Sequence, residues 1–367
     1  MDRARSYLPT SRSPISVSTH CAAPSASLGL SRDDNSGAGR TAIVASRWYV
    51  TFHGGDDPHA VNTIHAYSAA GDPLGAVLAS HDLPKHVALR ELRGFGFGPD
   101  GDLYVANAYK DASQILRFHG RPDRDGKHPF RDVFAERHAA NRGLAHPFDV
   151  AFGPDGNLYV PSQDTSIVAR YYGPTTTGGT PGAPMPHPAA LRDFPHGTFH
   201  PGTFVPSAHH LPTGLEEVRH AIFGPDGALY VADRRANRVK LYDATTGELR
   251  RELGGDHLPT PIHLLFRPDG TLLVGSRDGD AVLATDPSSG ETVPLIASGA
   301  GGLHEPAGLA LGPDGALYVA SRGSRQILRF DPATGRPDPT PFIDHLPDRP
   351  EFILPVAEPQ ADHPSRT

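Results

Sequence analysis

The chain has 367 residues, of which 40 are Gly and 38 are Pro; 38% are hydrophobic and the formal net charge is −7. That density of turn formers excludes a helical bundle, and the apolar content is enough for a core built from short strands. Lysine occurs only at Lys85, Lys110, Lys127 and Lys240, with no basic block, so the chain has no electrostatic footprint for nucleic acid.

In chain order, residues 1–40 are rich in Ser, Arg, Ala and Pro and lack an apolar signal core, so they read as a flexible segment of a cytoplasmic protein. A misassigned start codon would reopen export. The one cysteine, Cys21, has no internal partner for a disulfide or a cysteine metal cluster. No apolar run reaches the roughly 20 residues that span a bilayer, which predicts no membrane association.

Residues 41–82 offer four short apolar runs, Ala42–Ala45, Trp48–His53, Asn62–Tyr67 and Pro73–Ala79. A repeat then begins. Five segments share one pattern: LRGFGFGPDGDLYVANA from Leu92, PFDVAFGPDGNLYVPSQ from Pro147, VRHAIFGPDGALYVADR from Val218, PIHLLFRPDGTLLVGSR from Pro261 and PAGLALGPDGALYVASR from Pro306. Each reads as a strand, a Pro-Asp-Gly turn and a second strand. Pro presets φ at the second turn position, Asp bonds the turn backbone and Gly takes the left-handed position. Third strands follow at Gln114–Phe118, Ser166–Arg170, Asn237–Leu241 and Gln326–Phe330, and weaker fourth strands at Phe130–Phe134, Thr292–Ala297 and Pro341–Asp344.

Four antiparallel strands repeated at about 45 residues predict an all-β, six-bladed β-propeller of four-stranded blades over 41–356. A sandwich or an open solenoid is the alternative. Residues 173–214 form a long insertion, either an irregular loop or a flap over one face. Glu351–Leu354 is apolar and late, and is a candidate to close the ring by pairing into blade 1. Residues 357–367 read as a tail.

The pattern Pro-x-[Gly/Asp/His]-φ-Ala-φ-Gly-Pro-Asp-Gly-x-Leu-Tyr-Val-Ala, where φ is apolar, resembles the NHL-repeat propellers. Asp233 followed by Asn237-Arg238-Val239 is similar to that repeat's ending. The resemblance covers about 90–345 and bears on fold more than on function. Similar enzymes are the peptidyl-hydroxyglycine amidating lyase, the gluconolactonase-like hydrolases and streptogramin lyase. They imply a metal ion at or near the central channel. Other similar propellers are binding or scaffold modules.

Aligning the repeats places Gly94, Asp149, His220, His263 and Gly308 at one position of the innermost strands, facing the channel. Two His and a carboxylate suit Zn²⁺, Mn²⁺ or Fe²⁺. Asp149, His220 and His263 are therefore the candidate metal ligands, with the amidating lyase resemblance implying His ligands from these strands. Asp149 departs from an all-His set, and the choice among Zn, Mn, Fe, Mg and Ca stays open. A polar channel with hydrogen-bonded His is the structural alternative.

Loops at the same mouth contribute His53, Tyr109, His146, His304 and Glu305. His53 or His304 is the candidate for moving a proton, because His titrates near neutral pH. Arg234, Arg277 and Arg322 end second strands and, with Tyr109, are candidates to hold a substrate carboxylate or phosphate. Pairing with Asp233, Asp278 or blade-edge carboxylates is the structural alternative. The expected function is a metal-dependent lyase or hydrolase acting on a small organic or peptide-derived substrate, with a monomer as the expected state. The other reading is a non-catalytic propeller that binds a protein or small ligand.

Overall fold

The computed structural model describes residues 46–357, apart from 56, 58, 81, 82 and 256. The expectations for residues 1–40, for Ala42–Ala45 and for 358–367 lie outside the described residues.

Six antiparallel sheets stand around a central axis as the blades of a propeller. From the innermost strand outward, blade 2 is Leu92–Phe97, Leu103–Asn107, Gln114–Phe118 and Phe130–Glu136. Blade 3 is Ala151–Phe152, Leu158–Ser162, Ile167–Tyr171 and Thr203–Val205. Blade 4 is Val218–Phe223, Leu229–Asp233, Arg238–Tyr242 and Leu249–Gly254. Blade 5 is Pro261–Phe266, Leu272–Ser276, Ala281–Thr285 and Thr292–Ile296. Blade 6 has three strands, Pro306–Leu311, Leu317–Ser321 and Gln326–Phe330. Its expected fourth strand at Pro341–Asp344 is reduced to isolated bridges, Ile327 to Ile343 and Phe330 to Pro337.

Blade 1 combines both ends of the ring. Pro350–Ala357 is its innermost strand, followed outward by Ser46–Phe52, Ile64–Tyr67 and Pro73–Ala76. The late apolar segment therefore does close the ring, as the strand nearest the axis.

Both faces of each sheet are covered because alternate residues of a strand enter different interblade cores. Leu103 and Val105 pack toward Tyr49 and Ile64 of blade 1, whereas Tyr104 and Ala106 pack toward Leu158 and Val160 of blade 3. This is period-two alternation with both faces apolar.

The repeat Tyr ties this packing to the turn. The hydroxyls of Tyr104, Tyr159, Tyr230 and Tyr318 donate to the turn residues Asp100, Asp155, Asp226 and Asp314 at 3.0–3.1 Å. Their rings then meet the next blade: Tyr104 on Phe152, Tyr159 on Phe223, Tyr230 on Phe266 and Tyr318 on Trp48, with centroids 4.2–5.0 Å apart. The Gly before each of these turns leaves room for the ring. A Cβ at Gly98, Gly153, Gly224 or Gly312 would lie 2.4–2.8 Å from the Tyr. In blade 5 the Tyr position is Leu273, and there the Gly position is Arg267, which pairs with Asp269. Gly and Tyr thus come and go together within one chain.

Two further glycines allow the inner strands to approach. A Cβ on Gly94 would meet Asp149 Cα at 2.7 Å, and one on Gly308 would meet the backbone of Glu351, Phe352 and Ile353 at 2.9 Å. The inserted segment in blade 3 leaves from the end of the third strand, the same end of the blade that carries the Pro-Asp-Gly turn, and includes the fourth strand. It runs against blade 4 there, with Ala190 N–H on Thr246 O.

The Gly–Tyr pairing makes a test. Gly224→Ala should destabilise the protein by about 1–3 kcal/mol through overpacking. In a Tyr230→Leu background the same change should cost almost nothing. A double-mutant cycle by chemical denaturation measures the coupling; additive costs would sink the explanation.

Candidate functional site

The channel mouth away from the Pro-Asp-Gly turns is built by one device used six times. A residue just before each inner strand is held by the residue just after that blade's second strand. His53 N–H bonds Arg349 O, Ala108 bonds Glu91, Gln163 bonds His146, Arg234 bonds Glu217, Arg277 bonds Thr260 and Arg322 bonds Glu305, at 2.8–3.3 Å. Four of the residues before the inner strands, Glu91, His146, Thr260 and Glu305, have φ between 44° and 53°. That left-handed backbone is unfavourable for a side-chain-bearing residue and needs local support.

The support comes from the preceding blade. Asn62 Oδ1, Ser113 Oγ, Asn237 Oδ1 and Asp280 Oδ1 accept the N–H of Glu91, His146, Thr260 and Glu305, respectively, at 2.7–2.9 Å. Asp233 adds a clamp within blade 4 by accepting from Glu216 and Glu217 N–H. The Asp…Asn-Arg-Val ending therefore has a mechanical role, with Asp233 and Asn237 each fixing a mouth loop.

Two residues further along, each blade carries a buried residue at the level of the mouth. Blades 1, 2 and 4 supply Glu351, Arg93 and Arg219, whereas blades 3, 5 and 6 supply Phe148, Ile262 and Ala307. In five of the blades the ladder shifts register within or next to this stretch. Bulges of this kind re-aim side chains.

Glu351 is the hub. It is 2% exposed, and its Oε1 lies 2.9 Å from Arg93, 2.8 Å from Arg322 Nε and 3.1 Å from His53 Nδ1. Burial alone would raise its carboxyl, but Arg93, His53 and Arg322 together outweigh this and hold it below the ordinary carboxylate range. Arg93 is buried and bridges two imidazoles, with His53 Nδ1 at 2.7 Å and His146 Nε2 at 3.2 Å. Burial, then repulsion by Arg93, Arg219 and His53, pushes His146 down to about 3, so it stays neutral. Among the described residues no protein group bonds His53 Nε2, and the His53 side chain is 34% exposed.

The predicted arginines sit on this rim and are paired. Arg234 reaches Glu217 at 3.3 Å, Arg277 reaches Glu305 at 3.3 Å, and Arg322 reaches Glu305 at 3.4 Å as well as Glu351. The partners are thus glutamates before or on the inner strands, and not Asp233; Asp278 is only 3.9 Å from Arg277. His304 stands apart, 61% exposed, with Nδ1 3.1 Å from Asp280. Tyr109 lies under Arg90 and Lys110, whose Nζ donates to its hydroxyl at 2.7 Å.

Asp149, His220 and His263 do come together, below the mouth. All three are buried. Their geometry differs from that expected of ligands to one ion. Leu264 N–H donates to His220 Nδ1 at 3.2 Å, which places the ring proton on Nε2, and Nε2 donates to Asp149 Oδ2 at 2.9 Å. Both nitrogens of His220 are therefore used. The His220 and His263 rings are stacked, with centroids 3.9 Å apart and planes 19° apart. Their in-plane lone pairs run side by side and do not converge on a point about 2 Å from both. The three residues do not fit a shared ion. More widely, among the described residues no three His, Cys, Asp or Glu side chains are grouped to hold a metal. Burial lowers His220 to about 3 and His263 well below the usual range, and raises Asp149 well above it. Phe352, 5.1 Å from His263 and 5.7 Å from Phe148, helps close the channel at this level.

Sequence reasoning missed Glu91, Arg93, Glu217, Arg219 and Glu351. Four of them flank the repeat starts at Leu92 and Val218, so a signal was present: Arg93 and Arg219 stand where other repeats have Phe, Ile or Ala, and Glu91 and Glu217 where they have His, Thr or Glu. Glu351 carried none, because its strand lacks the repeat.

No protein-family model matches the chain, and no curated protein does. Solved structures match by fold. They include a nidogen/laminin complex (TM-score 0.57, 14% identity, 85% of this chain and 98% of that one). Virginiamycin B lyase from Staphylococcus aureus matches with TM-score 0.51 and 15% identity, over 85% of this chain and 89% of that one. A periplasmic gluconolactonase from Pseudomonas aeruginosa matches with TM-score 0.50 and 18% identity, over 86% and 100%. At these identities the likeness is one of fold, and lyase and lactonase propellers are among the neighbours.

Two predictions follow from the charges. The folded state favours ionised Glu351, so that stabilisation is present above about pH 4.3, the unfolded value, and is lost as pH falls toward the folded value. Glu351→Gln should cost about 3 kcal/mol at neutral pH by leaving Arg93 and Arg322 short of their buried carboxylate, and should flatten the acid limb of a melting-temperature profile. Asp149 is opposite in sign: its raised carboxyl favours the neutral form, so its stabilisation is lost as pH rises. Asp149→Asn should therefore raise thermal stability at alkaline pH and change it little in acid. Destabilisation at alkaline pH would refute the assignment.

Proposed function

We propose that the protein is a proton-transfer enzyme, a lyase or hydrolase of a small molecule, with its reacting centre at the channel mouth and His53 as the group that moves the proton. The single observation carrying this reading is the placement of His53. Its Nδ1 faces buried Glu351, and its Nε2 has no protein partner among the described residues.

The chemistry follows from the two neighbours of Nδ1. When Nδ1–H donates to Glu351, Nε2 presents a lone pair and accepts a proton from a substrate carbon or from an attacking water. When Nδ1 accepts from Arg93, Nε2 carries the proton and donates it. The imidazolium formed on the way is stabilised by the Glu351 carboxylate 3.1 Å away. Glu351 and Arg93 act as positioning residues for the ring. Arg93 also brings positive charge next to the place where an oxyanion develops. His146, held neutral beside Arg93, adds no charge to the site.

The test is a turnover screen of lactones, esters and elimination-prone acyl compounds with the full chain. At least one class should be converted, with His53→Gln lowering kcat by roughly 10²–10⁴-fold and Glu351→Gln lowering it less. Turnover that survives His53→Gln, or none across the panel, would overturn the proposal.

A further inference from the structure

Five guanidiniums of the mouth, Arg93, Arg219, Arg234, Arg277 and Arg322, pair with four carboxylates, Glu91, Glu217, Glu305 and Glu351, and Asp164, 3.7 Å from His146, is a further carboxylate within electrostatic reach of Arg219 and Arg93. They are not evenly matched. Arg93, Arg277 and Arg322 form one chain with Glu91, Glu305 and Glu351, and its charges balance. Arg219 and Arg234 share Glu217 alone, at 2.5 and 3.3 Å. Direct carboxylate partners are fewest there, one glutamate between two guanidiniums.

Arg219 is 5% exposed, so its charge is poorly screened by water. Burial, together with Arg234 and Arg93, lowers its pKa to about 10, which leaves it charged at neutral pH. Its guanidinium and that of Arg93 both lie over Phe148, 5.5 and 5.9 Å from the ring centroid. The Nε atoms of Arg93, Arg234, Arg277 and Arg322 are buried and have no hydrogen-bond partner, so unmet donors occur around the whole mouth, Arg234 included. Buried donors without acceptors are uncommon in folded proteins, and Arg219, which also donates to Val218 O at 3.0 Å, has only a shared carboxylate to offset its buried charge.

We infer that the Arg219–Arg234 side of the mouth binds the carboxylate of a small monoanion, and that the substrate of the site carries this group. The inference rests on the reading of the mouth as an active site. Guanidinium forks match the planar carboxylate, and two guanidiniums that share one glutamate favour one further negative partner. A phosphate dianion would leave excess negative charge against Glu217 and Glu351. Bound over Phe148, the anion lies beside His146 and Arg93, on the side of the mouth that leads to His53.

The probe is benzoate, titrated calorimetrically into the full chain, with benzamide and inorganic phosphate as comparisons. Benzoate should bind, benzamide should not, and added salt should weaken binding. Arg234→Gln should lower benzoate affinity about tenfold, the loss of one hydrogen bond to a charged group. Arg234→Lys serves if the Gln variant does not fold, and should also weaken binding by losing the fork. Arg250→Gln, an exposed residue paired with Asp243, should leave affinity unchanged. Equal binding of benzamide, unchanged affinity in both Arg234 variants, or tighter binding of phosphate would overturn the inference. Its failure is separable from that of the catalytic reading. Benzoate binding that persists in His53→Gln, without turnover of any panel compound, removes catalysis and keeps the anion site. Turnover confined to uncharged substrates, undiminished in Arg234→Gln, does the reverse.

Discussion

The closure of the ring by Pro350–Ala357 is the constraint on which the rest depends. A propeller open at blade 1 would expose an unpaired strand edge next to its axis. The closing strand pairs with Ser46–Phe52 along nearly its whole length and lies against the inner strand of blade 6 through Gly308. The same pairing delivers Glu351 between Arg93 of blade 2 and Arg322 of blade 6. Sheet closure and assembly of the charged mouth are therefore one event. A buried carboxylate between two guanidiniums is poor evidence for stability as such, but breaking it leaves buried charge unpaired. The hub thus links the integrity of the ring to the geometry around His53.

The mouth is held from outside in. Polar side chains at the ends of second strands and in the next turns bind the backbone of the loops that precede the inner strands. Asn62, Ser113, Asn237 and Asp280 reach across to the following blade, so each blade sets the mouth residue of its neighbour. That arrangement keeps Glu91, His146, Thr260 and Glu305 in left-handed backbone that none of them favours alone. The strain sits where the charged side chains are, and the interblade hydrogen bonds hold it. A site on such a frame is pre-organised, which suits both proton transfer and selective binding of an anion.

Below the mouth the channel changes character. Asp149, His220, His263, Phe148 and Phe352 are packed and buried. A sequence position that looks like a ligand position became a buried hydrogen-bonded pair with a second imidazole stacked on it. The residue types were right for a metal; the orientation of their lone pairs was not. Repeat alignment places residues at a level of the channel, but it does not say which way a ring turns once a backbone N–H, here that of Leu264, claims one of its nitrogens.

Much of the fold was legible because the repeat states its own physics. Pro-Asp-Gly prescribes the turn, the apolar second strands require cover on both faces, and Gly before Pro makes room for the Tyr four residues after the turn Asp. His53 and the three strand-end arginines were legible for the same reason, since repeat position determines which mouth a residue faces. The rest was not, because it depends on contacts between blades that no local pattern encodes. The closing strand carries no repeat, so its rank in blade 1 and the burial of Glu351 follow only from the folded ring. Arg93 and Arg219 look like variable strand residues until their neighbours are in place. By itself, then, the sequence determined the blades, their order and the end of the blade at which each repeat residue stands, because those follow from period, turn chemistry and apolar pattern. The tertiary structure alone decided which charges meet, which lone pairs are already spent and which guanidiniums share one carboxylate, because those depend on distances between segments far apart in the chain.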